Sequence, residues 1–314
     1  MESFWVSFNA VAPLLLLVAL GFYLNQKGLL AGEVLATINY LCFHLFLPFL
    51  LYTNIIHNDV KKLLNPRLFF FVGGMVLFIF IITSLFIPLV EKDSGSRGAL
   101  IQSLFRSNYV ILGVPLSYAI YGEQGSAIAS MLIALVIPMY NVLAVIILAI
   151  HGTQSDGEKK ENILIKIVKN PLIKGCFFGI LTLFLPFEIP KFLDTTVSNI
   201  AKIGSAFPII LLGSALNLKG MKKNVLKLSL AVFGKLIVIP AIAIPISILF
   251  GFRGAELTVI LTVFATPPSV SSGIMAEQMN CNGELASEII VLASIFSFLS
   301  IFLWVFFLSY YHLL

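Results

Sequence analysis

Long apolar runs alternate with short polar connections along the whole chain. Ten runs stand out, at about 5–24, 33–55, 67–90, 97–121, 126–150, 163–186, 196–217, 225–250, 254–279 and 285–311. Each is long enough for a membrane-spanning helix of about 20 residues. The pattern predicts an all-α integral membrane protein of ten transmembrane helices. The longest polar stretch is "HGTQSDGEKKEN" (151–162), a short linker between a first half (1–150) and a second half (163–314). No loop is long enough to hold a soluble domain, so function is expected within the membrane.

Composition sharpens this. The 314 residues are 59% hydrophobic and 11% charged, where soluble domains carry about 25% charged residues. The net charge of +5 does not indicate a nucleic-acid partner, because the basic residues cluster in loops, where they set orientation. With ten spans both termini share one side. The loops after the odd-numbered spans carry Lys27, Lys92, Arg97, five lysines between 159 and 174, and four between 219 and 227. The other side carries Lys61, Lys62, Arg67, Lys191 and Arg253. The positive-inside rule places the first set, with the 151–162 linker, in the cytoplasm and both termini outside a plasma membrane. No Lys or Arg precedes the first run, and "AVAP" (10–13) lies before the apolar stretch rather than after it, so 5–24 is expected to be a true span rather than a cleaved leader. Cys42, Cys176 and Cys281 are scattered and form neither a disulfide framework nor a metal motif.

The two halves repeat. "FHLFLPFLLYTNIIHNDVKK" (43–62) and "IGSAFPIILLGSALNLKGMKK" (203–223) each place a Pro in mid-segment, then an aliphatic run, a small polar residue and a basic pair. "RGALIQSLF" (97–105) is echoed by "RGAELTVIL" (253–261), and "GEQ" (122–124) by "AEQ" (276–278). The unit is five spans. An odd number of spans forces the copies into opposite orientations, giving two inverted five-helix repeats of the kind secondary transporters use.

Within each repeat the fourth span is broken. "NYVILGVPLSYAIYG" (108–122) and "TVFATPPSVSSGIMAEQMN" (262–280) carry Pro deep in an apolar run, flanked by small polar residues. Pro removes a backbone donor and clashes with the carbonyl four residues earlier. Gly113 adds backbone freedom, and the Pro267-Pro268 pair pushes Thr266 and Pro267 from helical geometry. In lipid every freed backbone group costs several kcal/mol unless it is buried in protein or lines a wet cavity. Matched breaks in two inverted halves therefore point to a binding site at spans four and nine. Half-helix N-termini suit anions there. The prolines at 13, 48, 88, 138, 208, 240 and 245 read as simple kinks.

Charges within the spans add candidates. Arg106 lies just before Asn108 and has two readings, a bidentate partner for a substrate carboxylate or a side chain snorkelling to the interface. Lys235, ten residues into span eight, reads as a substrate charge partner or an internal counter-charge. Lys202 reads as a snorkelling residue. His44 reads as a hydrogen-bonded core residue or, since its ring titrates near neutrality, a proton carrier. No carboxylate falls at mid-depth, which favours an anionic substrate over a cation. There is no Walker loop, HExxH, CxxC or catalytic triad, so neither an enzyme nor a bound cofactor or metal is expected.

"NYVILGVP" (108–115), with Asn, Gly five residues on and Pro two further, resembles the fourth-span motif of the auxin efflux carrier family. "ATPPS" (265–269) is similar to that family's proline-broken ninth span. The resemblance covers essentially the whole chain. It implies a crossover of two broken helices in a transport domain that moves against a scaffold of spans one, two, six and seven, often dimeric. It carries over Asn108, Gly113 and Pro115 directly, and Pro267 with two registers open because Pro268 follows. Members of the microbial type, with a short central loop as here, imply organic acids such as malate or malonate; plant members carry auxin. The sequence thus predicts alternating-access transport of a small organic anion, with Arg106, Asn108, Gly113, Pro115, Lys235, Pro267, Pro268 and Ser269 as site residues and with possible proton coupling. The alternatives are a sodium-coupled symporter of the bile-acid type and a channel or non-transporting sensor.

Overall fold

A computed structural model describes residues 2–57, 65–152, 163–184, 189–217, 221–222 and 224–314, with the backbone alone described for 2–11 and 163. Residues 153–162 of the linker and the basic residues Lys61, Lys62, Lys219 and Lys223 lie outside the described residues. Every regular element among the described residues is helical. Among the described residues six stretches are long and apolar enough to cross a membrane: Gly32–Ile56, Pro66–Val90, Ser94–His151, Lys191–Ser214, Val225–Leu249 and Gly283–Tyr310. Shorter apolar helices occupy 12–26, 171–183 and 254–265.

In chain order the helices are α1 (Glu2–Gln26), α2 (Gly32–Leu41), α3 (Leu47–Ile56), α4 (Pro66–Val90), α5 (Ser94–Phe105), α6 (Val114–His151), α7 (Ile163–Lys169), α8 (Pro171–Leu183), α9 (Lys191–Ser214), α10 (Val225–Phe233), α11 (Ile239–Leu249), α12 (Gly254–Ala265), α13 (Ser271–Gln278) and α14 (Gly283–Tyr310). α6 is divided at Tyr121–Gly122, where Gly122 takes φ 56°, ψ −142°. That left-handed angle is open to Gly and costly for other residues. The expected sixth run is not one helix. Asn170 ends α7 and caps α8, its side chain accepting from Leu172 N at 2.9 Å, with Pro171 opening the new helix. Asn at the cap and Pro at the first position form a helix start, and that local signal overrides the continuous apolar pattern.

Among the described residues three wide π-turns, Cys42–Phe46, Tyr109–Gly113 and Gly234–Val238, join α2 to α3, lead into α6, and join α10 to α11. Each is followed two residues later by a proline: Pro48, Pro115 and Pro240. A proline cannot donate to the preceding turn and pushes against the carbonyl four residues back; widening the helix relieves the clash, and the freed carbonyl needs another donor. The carbonyl of Leu236, four residues before Pro240, accepts instead from Trp304 Nε1 at 3.1 Å.

The helices pack in two groups. α1, α3, α8 and α9 lie against one another, while α5, α6 and α10–α14 form the other cluster with α4; the groups meet where α1 lies on α14 and α3 on α6. Glycines set the α1–α9 approach. A Cβ on Gly213 would lie 2.0 Å from the Val18 carbonyl oxygen, and one on Gly21 would lie 1.8 Å from that of Ile210. Ser214 Oγ donates to the Gly21 carbonyl at 3.1 Å across the same contact. Small residues that bring backbones together are a main source of helix association in lipid.

Candidate functional site

α5 stops at Phe105, and Arg106 runs extended at φ −83°, ψ 146°. α12 stops at Ala265, and Thr266, ahead of Pro267, is extended at φ −71°, ψ 149°, as the residue before a proline must be. The two breaks meet. Asn108 N donates to the Pro267 carbonyl at 2.8 Å, so each interruption satisfies part of the other's freed backbone. Beside the crossing, Ser117 and Thr262 hydroxyls lie 3.2 Å apart. Beyond it the chain re-enters helix in both halves, through the π-turn 109–113 and through α13. Each restart leaves its first N–H groups without intrahelical partners and its positive dipole end at the crossing.

A cavity of about 110 Å³ opens between this crossing and helices α3 and α9. Arg106, Asn108, Asn141, Ser269 and Ser271 supply its polar wall, and Leu47, Leu50 and Pro208 much of the apolar one. Arg106 is only 4% exposed. Its Nη2 donates to Asn141 Oδ1 and to Ser271 Oγ, both at 2.8 Å, and its Nη1 to Met275 Sδ at 2.6 Å. All three partners are neutral, and among the described residues no carboxylate pairs with the guanidinium. The side chain is drawn into the protein rather than out to an interface. Asn108 is 5% exposed, and its Nδ2 has no hydrogen-bond partner among the described residues. Behind them Ser107 Oγ donates to Tyr140 OH at 3.1 Å, which donates to the Val263 carbonyl at 3.2 Å.

A buried cation without a counter-charge and a buried amide nitrogen without an acceptor are each costly in an apolar setting. Both are answered by one kind of guest, an anion with oxygen acceptors. The N–H groups opening the π-turn and α13 favour the same guest.

Of the residues singled out in the sequence, Arg106, Asn108 and Ser269 line the cavity, and Pro267 supplies the carbonyl that fastens the crossing. Pro268 lies within the second break. Gly113 and Pro115 lie about one turn beyond the cavity wall; a Cβ on Gly113 would fall 2.6 Å from Tyr109 Cδ2, so the glycine seats that ring, whose hydroxyl donates to the Ala129 carbonyl at 2.8 Å. Lys235 is elsewhere. It sits fully buried in the π-turn 234–238, against α5, α12 and α14, and its Nζ has no partner among the described residues. His44 is exposed, stacked on Tyr40 and bonded to the Tyr40 carbonyl at 3.0 Å. Lys202 is exposed beside Asn199.

Sequence reasoning missed Tyr140, Asn141, Ser271 and Met275, which orient Ser107 and Arg106. The adjacent pair Tyr140-Asn141, in mid-run after Pro138, was the available signal.

The chain matches the family described as Membrane transport protein over residues 6–305. It is 25% identical over 307 residues to an uncharacterized transporter of Methanothermobacter thermautotrophicus, covering 96% of this chain and 98% of the relative. It is 24% identical over 309 residues to an uncharacterized transporter of Methanocaldococcus jannaschii, covering 95% of this chain and 98% of that relative. With helices apolar enough to span a bilayer and a family match over nearly its whole length, the chain belongs to the membrane transport proteins of the auxin efflux carrier family.

Proposed function

We propose that the protein is a secondary transporter that carries a small organic anion across the plasma membrane by alternating access, with its site at the crossing of the two interrupted helices. The observation that carries this reading is the buried Arg106 guanidinium, held among the described residues by neutral partners at the wall of a cavity it shares with Asn108, whose Nδ2 has no partner among those residues. A carboxylate there receives charge from Arg106, a hydrogen bond from Asn108 Nδ2, and N–H groups from the two helix restarts. The cavity, about 110 Å³, lies below the roughly 300–1,000 Å³ of drug-sized ligand sites, which favours compact acids such as malonate or malate over ring-bearing ones.

In this reading the ten apolar runs are ten spans in two inverted five-helix repeats, and the group α1, α3, α8 and α9 is the scaffold past which the crossing moves. The scaffold helices provide the surface for a homodimer. The 151–162 linker and the end of the molecule at 94–96 and 279–283 face the cytoplasm, and both termini face outward.

Uptake of labelled malonate and malate into liposomes holding the purified protein, with and without an imposed pH gradient or sodium, tests the proposal. Saturable uptake driven by the pH gradient is expected. Folded protein that moves no carboxylate under any gradient refutes it, and conductance without saturation identifies a channel instead.

A further inference from the structure

α13 is a rod of eight residues, Ser271–Gln278, about 12 Å long at 1.5 Å per residue. Its first residue grips the site, Ser271 Oγ accepting from Arg106, and Met275 Sδ, one turn further on, accepts from the same guanidinium. The other end reaches α2, which runs through the first π-turn into α3 of the opposite helical group. Glu277, in the last turn of α13, accepts from Asn39 Nδ2 of α2 at 2.8 Å through Oε2. Asn39 is 2% exposed, and its Oδ1 is buried with no partner among the described residues. The chain folds back tightly over this end, since a Cβ on Gly283 would lie 2.7 Å from that of Glu277.

An amide facing a carboxyl group can form either one hydrogen bond or two. An ionised carboxylate only accepts, so it uses the amide nitrogen and leaves the amide oxygen orphaned. A protonated carboxyl group also donates, and the orphaned Asn39 Oδ1 is the matching acceptor. The second bond removes the penalty of a buried, unsatisfied oxygen. The ionisable groups at this end on the elements packed against α13 are Glu284 and Glu288 of α14, Arg97 of α5, Tyr40 of α2, Cys42 and His44 of the first π-turn and His151 of α6, while the last three turns of α9 carry none. Among the described residues none of these groups forms an ion pair or hydrogen bond with Glu277, so Asn39 is its one specific partner.

We propose that Glu277 is a proton-binding site that couples acidity to the conformational cycle: its carboxyl group, when protonated, closes a two-bond pair with Asn39 and latches α13 to α2, and when ionised, loosens it. This rests on the transporter reading for its purpose, but the latch itself is a local equilibrium. By linkage, the latched state binds the proton more tightly than the released state by the same factor that the proton favours latching.

Hydrogen–deuterium exchange of residues 271–283 and 32–42, in the full-length protein in lipid nanodiscs at acidic and neutral pH and corrected for intrinsic rates, tests the latch without any substrate. One further hydrogen bond predicts about 2- to 10-fold more protection at acidic pH in the wild type. Glu277→Gln retains both bonds permanently and is expected to show the high protection at either pH, and Asn39→Ala the low protection at either pH. Wild-type protection that ignores pH, or a pH response that survives in Glu277→Gln, overturns the proposal. Carboxylate uptake that fails while the exchange pattern holds refutes the transporter reading alone. Uptake whose pH profile is unchanged in Glu277→Gln refutes the latch as coupling site alone.

Discussion

Replacing Arg106 by Gln separates the site from the fold. In the wild type the guanidinium is buried, with Asn141, Ser271 and Met275 as neutral partners and, among the described residues, no carboxylate to offset its charge. Its removal therefore deletes a desolvated cation together with three hydrogen bonds to uncharged groups. Buried charges without counter-charges contribute little net stability, and neutral replacements of similar volume are often tolerated. The shorter Gln amide still reaches toward Asn141 Oδ1. Thermal stability of the unliganded protein is expected to change by less than about 1 kcal/mol in either direction. Binding of an anion is a different matter, because a carboxylate in the same cavity loses its only charged partner. Truncating one side of a buried charge pair costs about 2–5 kcal/mol, which at 1.4 kcal/mol per decade is a roughly 30- to 4,000-fold rise in Kd. Calorimetric titration of malonate and malate into the solubilised protein, paired with thermal unfolding with and without ligand, reads both quantities. Wild-type affinity in Arg106→Gln refutes the assignment of Arg106 to the substrate. Loss of folding in the same variant shows that the guanidinium is structural.

Two further expectations concern the α1–α9 crossing and the second buried cation. Gly213→Ala places a Cβ 2.0 Å from the Val18 backbone oxygen, which a rigid helix cannot move aside; α1 and α9 are expected to separate, with stability lowered by about 1–3 kcal/mol in thermal unfolding, whereas an unchanged melting temperature refutes the tight crossing. Lys235→Met removes a fully buried amine with no partner among the described residues; stability is expected to rise by about 1–3 kcal/mol with uptake retained, and lost uptake in a folded variant returns Lys235 to the transport pathway.

The sequence made the breaks legible because proline and glycine act locally. Pro267-Pro268 and the Asn108–Pro115 stretch announce interrupted helix from residues a few positions apart, and the symmetry between halves pairs them. Arg106 was visible for the same reason, as a charge where an apolar run allows none, though sequence left open whether it snorkels. What it could not show was who answers that charge. Asn141 is 35 residues from Arg106 and Ser271 is 165 residues away, and only the folded crossing brings them together. Lys235 shows the converse. Its depth in an apolar run is as conspicuous as that of Arg106, yet depth along a helix does not say what the side chain lines, and Lys235 is not among the residues lining the cavity. Helix limits were least legible where side chains cap or widen the helix. Asn170 splits an apolar run by accepting from Leu172 N, and two of the π-turns answer Pro48 and Pro240, which the pattern alone reads as plain kinks.

The central claim is that the crossing of the interrupted helices is where substrate is bound and moved. The most direct measurement is initial uptake of labelled malonate or malate into proteoliposomes by Asn108→Ala and Pro115→Ala beside the wild type, with reconstituted protein quantified in each. Asn108→Ala deletes the amide donor at the cavity wall, and Pro115→Ala lets the helix restart wind closed. The account predicts reduced transport in both variants with membrane insertion intact. Wild-type rates in both contradict it.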